Sequence, residues 1–94
     1  MIKNFQERET EKLFITGRSR KFPPSIKKTS LRKLDYIYAA YNIYDLRIPP
    51  GNKLELLKGN LKGKYSIRIN DQYRIIFRFE ISNAFDVQII DYHK

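Results

Sequence analysis

Ninety-four residues, with nineteen Lys and Arg against ten Asp and Glu, give a formal charge of +9 and a pI near 9.9. The length allows one small core, expected to span residues 1–94 as a single domain, and excludes two independent ones. The charge favours polyanions such as nucleic acid or an anionic surface, while the lack of cysteine and the single histidine exclude a disulfide scaffold, a zinc ribbon, a thiol nucleophile and a multi-histidine metal centre.

The composition is that of a folded protein, 41% hydrophobic and 14% aromatic with four Gly and four Pro, which argues against disorder through charge. No apolar run approaches the ~20 residues that span a bilayer. The opening Met-Ile-Lys-Asn-Phe-Gln-Glu lacks the apolar stretch of a secretory signal. The expectation is a soluble, cytoplasmic domain that uses no metal or cofactor and no membrane.

Along the chain, Ile2–Phe5 is a short β-like opener. Glu7–Thr16 reads as a helix with acidic residues in its first turn, Leu13 and Phe14 as apolar contacts, and Gly17 placed to end it in a left-handed conformation. Pro24 suits the first position of a second helix, where its missing N–H has no intrahelical partner. Ile26, Ser30, Leu34, Ile37 and Tyr41 then form one stripe at helical spacing, leaving Lys27, Lys28 and Lys33 for the wet face. Residues 42–52 form a connector closed by Ile48-Pro49-Pro50-Gly51.

From Tyr65 the period becomes two. Tyr65, Ile67 and Ile69 alternate with polar residues, and Tyr73, Ile75, Phe77 and Phe79 alternate with Arg74, Ile76, Arg78 and Glu80, predicting two strands in a hairpin. Parity selects an odd loop, Asn70-Asp71-Gln72, which pairs Ile69 with Tyr73, Ile67 with Ile75 and Tyr65 with Phe77 on one apolar face. Asn or Asp in that loop would tolerate a positive φ. A last strand, Phe85 to about Asp91, pairs next; one parity has Phe85, Val87 and Ile89 face the core, and Ile89-Ile90, apolar on both sides, leaves its end undecided. The fold class is α+β: two N-terminal helices packed on one face of a small, largely antiparallel, curved sheet.

The charge is clustered. Residues 17–37 hold seven basic side chains against Asp35, and residues 47–78 hold eight against Glu55 and Asp71. The first block is either the solvated face of a helix or a partner surface. In the second, the hairpin register sets Arg68 opposite Arg74 and Lys64 opposite Arg78. Like charges facing across strands cost up to about 1 kcal/mol, an arrangement that suits a face built to hold an anion. The other reading is that these arginines splay into water and pair with Glu80 or Asp71. Lys58, Lys62 and Lys64 stand on a loop punctuated by Gly59 and Gly63, from which a lysine can reach a phosphate. At the end, Asp91, Tyr92 and His93 gather a carboxylate, an aromatic ring and the one imidazole. By parity Tyr92 joins the cationic face, and Asp91 and His93 do so only if the ladder ends or bulges near Ile90.

The runs Pro-Pro-Gly-Asn-Lys-Leu-Glu-Leu-Leu-Lys-Gly-Asn (49–60), Tyr-Ser-Ile-Arg-Ile-Asn-Asp-Gln-Tyr-Arg-Ile-Ile-Phe-Arg-Phe (65–79) and Asp-Val-Gln-Ile-Ile-Asp-Tyr-His (86–93) resemble HigB toxins of the RelE/ParE superfamily, over essentially the whole chain. The resemblance implies a type II toxin–antitoxin system and metal-independent, ribosome-dependent endoribonuclease activity on mRNA, an mRNA interferase that inhibits translation. It further implies a HigA-like helix-turn-helix antitoxin, through which alone the toxin meets operator DNA. Residue by residue it implies Lys58 and Arg74 as active-site cations, with Asp91, Tyr92 and His93 as a terminal constellation. Where some members have a second histidine this chain has Glu55. On this reading His93, oriented by Asp91, transfers protons, Arg74 and Lys58 stabilise the phosphorane, Tyr92 positions a nucleotide, and Arg68, Arg78, Lys62 and Lys64 hold RNA phosphates. The rival is a non-catalytic toxin or basic binding module, such as a ParE-like topoisomerase inhibitor, which the fold alone does not separate.

Overall fold

The computed structural model describes residues 1–92. Two α-helices, α1 (Arg8–Thr16) and α2 (Pro24–Ala39), precede four strands, β1 (Glu55–Leu56), β2 (Tyr65–Arg68), β3 (Tyr73–Glu80) and β4 (Asn83–Asp91), with 3-10 turns at Ile43–Arg47, Pro50–Asn52 and Gly59–Leu61. Glu7 caps α1 rather than joining it: its carboxylate accepts from the N–H groups of Glu9 and Thr10 at 3.0 and 2.9 Å. Gly17 closes the helix at φ 74°, its N–H donating to the Leu13 carbonyl. Pro24 opens α2 as expected, and Ile26, Ser30, Leu34 and Ile37 are buried.

Two residues depart from the helical stripe. Tyr41 is 80% exposed, because α2 ends at Ala39 and Ala40 turns extended. Lys33, expected in water, is buried: three positions beyond Ser30 it shares the covered side of the helix, and its ammonium donates to the Arg68 carbonyl at the end of β2. Burial, followed by the nearby Arg32, Arg68 and Arg74, pushes its pKa below that of a free lysine.

The sheet runs β1-β2-β3-β4, each neighbour antiparallel. Tyr65 faces Phe77, Ile67 faces Ile75 and Arg68 faces Arg74, the register that parity demanded. The loop closes differently from expectation. Neither Asn70 nor Asp71 takes a positive φ; instead Asn70 Oδ1 accepts from the N–H groups of Gln72 and Tyr73 at 2.8 and 2.7 Å, a side-chain turn. The next hairpin turns on Ile81 and Ser82, both at positive φ, the backbone that a tight two-residue hairpin requires.

An extra residue in β4 then changes the faces. The pairing passes from Ile76–Gln88 to Arg78–Phe85, and Asp86 sits at φ 55° within the shift. Phe85, which a strict alternation with Val87 and Ile89 would put in the core, is thereby turned to the arginine face, and Ala84 takes the core position. The opener docks on the outer side of β4, with parallel bridges Ile2–Ala84 and Phe5–Val87. Asn4 and Asp86 exchange two hydrogen bonds of 2.9 and 3.0 Å. The main core lies between Leu13, Ile26, Leu34 and Ile37 of the helices and Ile67, Ile75, Phe77, Val87 and Ile89 of the sheet. The arginines occupy the other face.

A candidate anion site around Arg74

Arg74 projects from the middle of the four-stranded sheet, and its side chain is only 13% exposed. Its Nε donates to Ser66 Oγ at 2.9 Å and its Nη2 to the Lys53 carbonyl at 2.8 Å. The Glu55 carboxylate stands 3.8 Å from Nη2, and the Tyr92 ring lies 5.4 Å from the guanidinium. Each partner is delivered by a separate element. β1 pairs Glu55 with Ser66 across the ladder. Lys53 follows the turn whose buried Asn52 donates to the carbonyls of Leu46 and Ile48. Tyr92 continues β4, its N–H donating to the Gln72 carbonyl. A cleft of about 290 Å³ opens between Lys53, Leu54, Glu55 and Arg74. It offers a fixed cation and a carboxylate, with the Tyr92 ring beside the cation, which are parts that can hold a phosphodiester and move a proton beside it.

The other predicted site residues are dispersed. Arg68 is paired with Asp71, and Arg78 with Glu80 and with Asp86 at 3.4 Å while its guanidinium covers Phe85 at 4.4 Å. These two arginines therefore match the splayed, carboxylate-paired arrangement. The ladder ends at Tyr65–Phe77, so Lys64 does not face Arg78 within it; its carbonyl accepts from Leu57 instead. Lys58 and Lys62 flank a cleft of about 450 Å³ with Leu56, Leu57, Gly59 and Gly63. Among the described residues neither ammonium makes a hydrogen bond or ion pair. Asp91 pairs with Tyr73 and accepts from Gln72 Nε2 at 3.0 Å, which puts it on the helix side of the sheet, away from Arg74. Of the terminal constellation, Tyr92 alone meets Arg74 among the described residues, and His93 lies outside them.

Sequence reasoning treated Glu55 only as a missing histidine and passed over Ser66. A usable signal was present for Glu55, one of two acids in a stretch of eight bases. On the far side, Lys12, Arg18, Arg20 and Lys27 line a polar cleft of about 720 Å³ with Thr16 and Ser19. Among the described residues no helix is long and apolar enough to cross a membrane, and no cluster of three His, Cys, Asp or Glu could hold a metal ion.

Residues 3–93 match the family of HigB-like toxins, described as RelE-like toxins of the type II toxin–antitoxin system HigB. The chain is 43% identical over its full length to Toxin HigB-1 of Vibrio cholerae, covering 99% of that protein. It is 52% identical over 60 residues to an uncharacterized protein of Haemophilus influenzae, covering 64% of this chain and 59% of the other. In structure it resembles a chain of the YoeB–YefM complex from Staphylococcus aureus, with a TM-score of 0.62 at 19% identity over 100% of this chain and 99% of that one. That likeness speaks for the α+β fold.

Proposed function

The chain belongs to the HigB family of RelE-like toxins of type II toxin–antitoxin systems, and from that premise we propose that it arrests translation by cutting mRNA on the ribosome, without a metal ion. The observation that carries the reading is the Arg74 cleft, a cation oriented from three sides with a carboxylate at its rim.

Cleavage at a phosphodiester by its own 2′-hydroxyl needs a base for that proton, charge relief on the pentacoordinate phosphorus, and an acid for the departing 5′-oxygen. Arg74 supplies the charge relief. Glu55, beside it, takes the 2′-hydroxyl proton as the new oxygen–phosphorus bond forms. As the bond to the 5′-oxygen breaks, that oxygen receives a proton from His93, leaving a 2′,3′-cyclic phosphate and a 5′-hydroxyl. The role of His93 rests on the family resemblance alone. Tyr92, over the guanidinium, offers a face for the adjoining base. Lys58, Lys62, Lys64, Arg68 and Arg78 hold the surrounding RNA phosphates by charge. Asp91 orients nothing at Arg74 in this reading. The partner that silences the toxin is an antitoxin, proposed to be of the helix-turn-helix HigA type, and the compartment is the cytoplasm, where ribosomes are.

Purified protein, stripped with EDTA and exchanged into EDTA-free buffer, is added to translating ribosomes in magnesium to test this, with primer extension on the message. Discrete cuts on ribosome-bound mRNA, and none on free mRNA, are expected. Intact message accompanied by DNA breaks in expressing cells would transfer the protein to the topoisomerase-poisoning class.

A further inference from the structure

Arg74 has five N–H donors in a planar fork, and the protein engages them unequally. Nε donates to Ser66 and Nη2 to the Lys53 carbonyl, whereas Nη1 makes no hydrogen bond among the described residues. The edge formed by Nε and Nη2 is thus fastened to the protein, with Glu55 3.8 Å from Nη2, and Nη1 is left for a ligand. We propose that Ser66 is a positioning residue: by accepting from Nε it fixes which edge of Arg74 meets a phosphodiester. The inference rests on the ribonuclease reading and deepens it.

Three features support this role over simple space filling. Ser66 is fully buried in β2, between Glu55 on one neighbouring strand and Ile76 on the other. A buried hydroxyl needs a partner, and here that partner is a cation, which makes the bond charge-assisted and directional. The second acceptor is set by an unfavourable backbone. Lys53 holds a left-handed conformation at φ 47°, which is unfavourable for a non-glycine residue, and in that conformation its carbonyl reaches Nη2.

Two acceptors thirteen positions apart in the chain therefore grip one guanidinium. A long, rotatable side chain becomes a fixed cation whose Nη1 is the donor left to a non-bridging phosphate oxygen. Such preorganisation acts on the transition state, where phosphorane charge develops, more than on ground-state binding. Ser66 touches no substrate in this scheme.

The test uses the full-length protein with Ser66→Ala and Ser66→Thr. Ser66→Ala is expected to lower kcat on ribosome-bound mRNA about tenfold with KM unchanged, the size of one lost orienting hydrogen bond to a charged group. Ser66→Thr, which keeps the hydroxyl, is expected to restore most of it. Independently of catalysis, the Nε–H signal of Arg74 in ¹⁵N NMR should be protected from solvent exchange in the wild type and unprotected in Ser66→Ala. Equal exchange in the two proteins, or an unchanged kcat in Ser66→Ala, would overturn the proposal. A wild type that cuts no message, with Nε–H protection still dependent on Ser66, would overturn the ribonuclease reading and uphold the grip of Ser66 on Arg74.

Discussion

Arg68 and Arg74 face each other across β2 and β3, yet each turns to a carboxylate of its own, Asp71 for the first and Glu55 for the second. The two pairs differ in setting. Asp71 is almost wholly exposed, so its pair is worth at most about 1 kcal/mol, while Arg74 is enclosed and triply oriented. The mutants should separate accordingly. Arg74→Ala is expected to lower kcat by about 10²–10³. Arg68→Ala is expected to weaken RNA binding and reduce its salt slope by about 1, without slowing the bound complex. Single-turnover cleavage across a salt series checks both, and equal losses of rate in the two variants would contradict the division.

Glu55→Gln keeps the shape of the side chain beside Arg74 and removes its capacity to accept a proton at neutral pH. A fall in kcat of about 10²–10⁴ is expected, with RNA affinity held or raised because a negative charge has left the cleft. Growth arrest on induction should be relieved in parallel. Full killing by Glu55→Gln would return the base role to His93.

Asp86 has its pKa held below the ordinary 3.8 by the Asn4 hydrogen bond first, with Arg78 adding to the same effect against the cost of burial. A carboxyl lowered in the folded state stabilises the fold above its unfolded pKa, and that contribution is lost as pH falls through the depressed value. Asn4→Ala should therefore raise the Asp86 pKa and move acid unfolding to higher pH. A carboxyl-detected NMR titration with far-UV circular dichroism reads both, and an unmoved acid midpoint would show that the clasp is energetically idle.

Lys33 has the opposite sign. Its pKa is lowered by burial below the ordinary 10.5, so the folded state binds that proton less readily than the unfolded one. Stability should rise with pH between the depressed value and 10.5. Urea unfolding across that window is expected to show this gain in the wild type and to lack it in Lys33→Met, the difference between the two isolating Lys33 from other alkaline titrations.

Local signals carried far in this chain, and they failed where one residue shifts a phase or a strand is too short to have one. Gly17, Pro24 and the alternation of Tyr65–Phe79 fix helix ends and hairpin register, because each is decided by neighbours in sequence. The bulge at Asp86 was invisible because Ala84 and Phe85 are both apolar, and either could have faced the core. Lys33 escaped because an aliphatic stem lets a charge occupy the covered side of a helix. Glu55 escaped for a third reason: β1 has two residues, no period can be read from two, and its encounter with Arg74 comes through the β1–β2 pairing. Ser66 stood in a register that was legible, but as one small polar residue of the outer face it gave no sign of the hydrogen bond to Arg74.

The docking of residues 2–5 along β4 has a consequence for folding. Ile2 and Phe5 find their bridges at Ala84 and Val87, and Asn4 finds Asp86, so partners 82 positions apart must meet. Contacts of such long sequence separation form late and slowly, because a large loop must close before they reward it. The ring beside Arg74 comes from Tyr92, which directly follows that same strand. The step that docks β4 therefore closes the fold and completes the surroundings of Arg74 together, and a toxin short of that step would offer an antitoxin an unfinished surface.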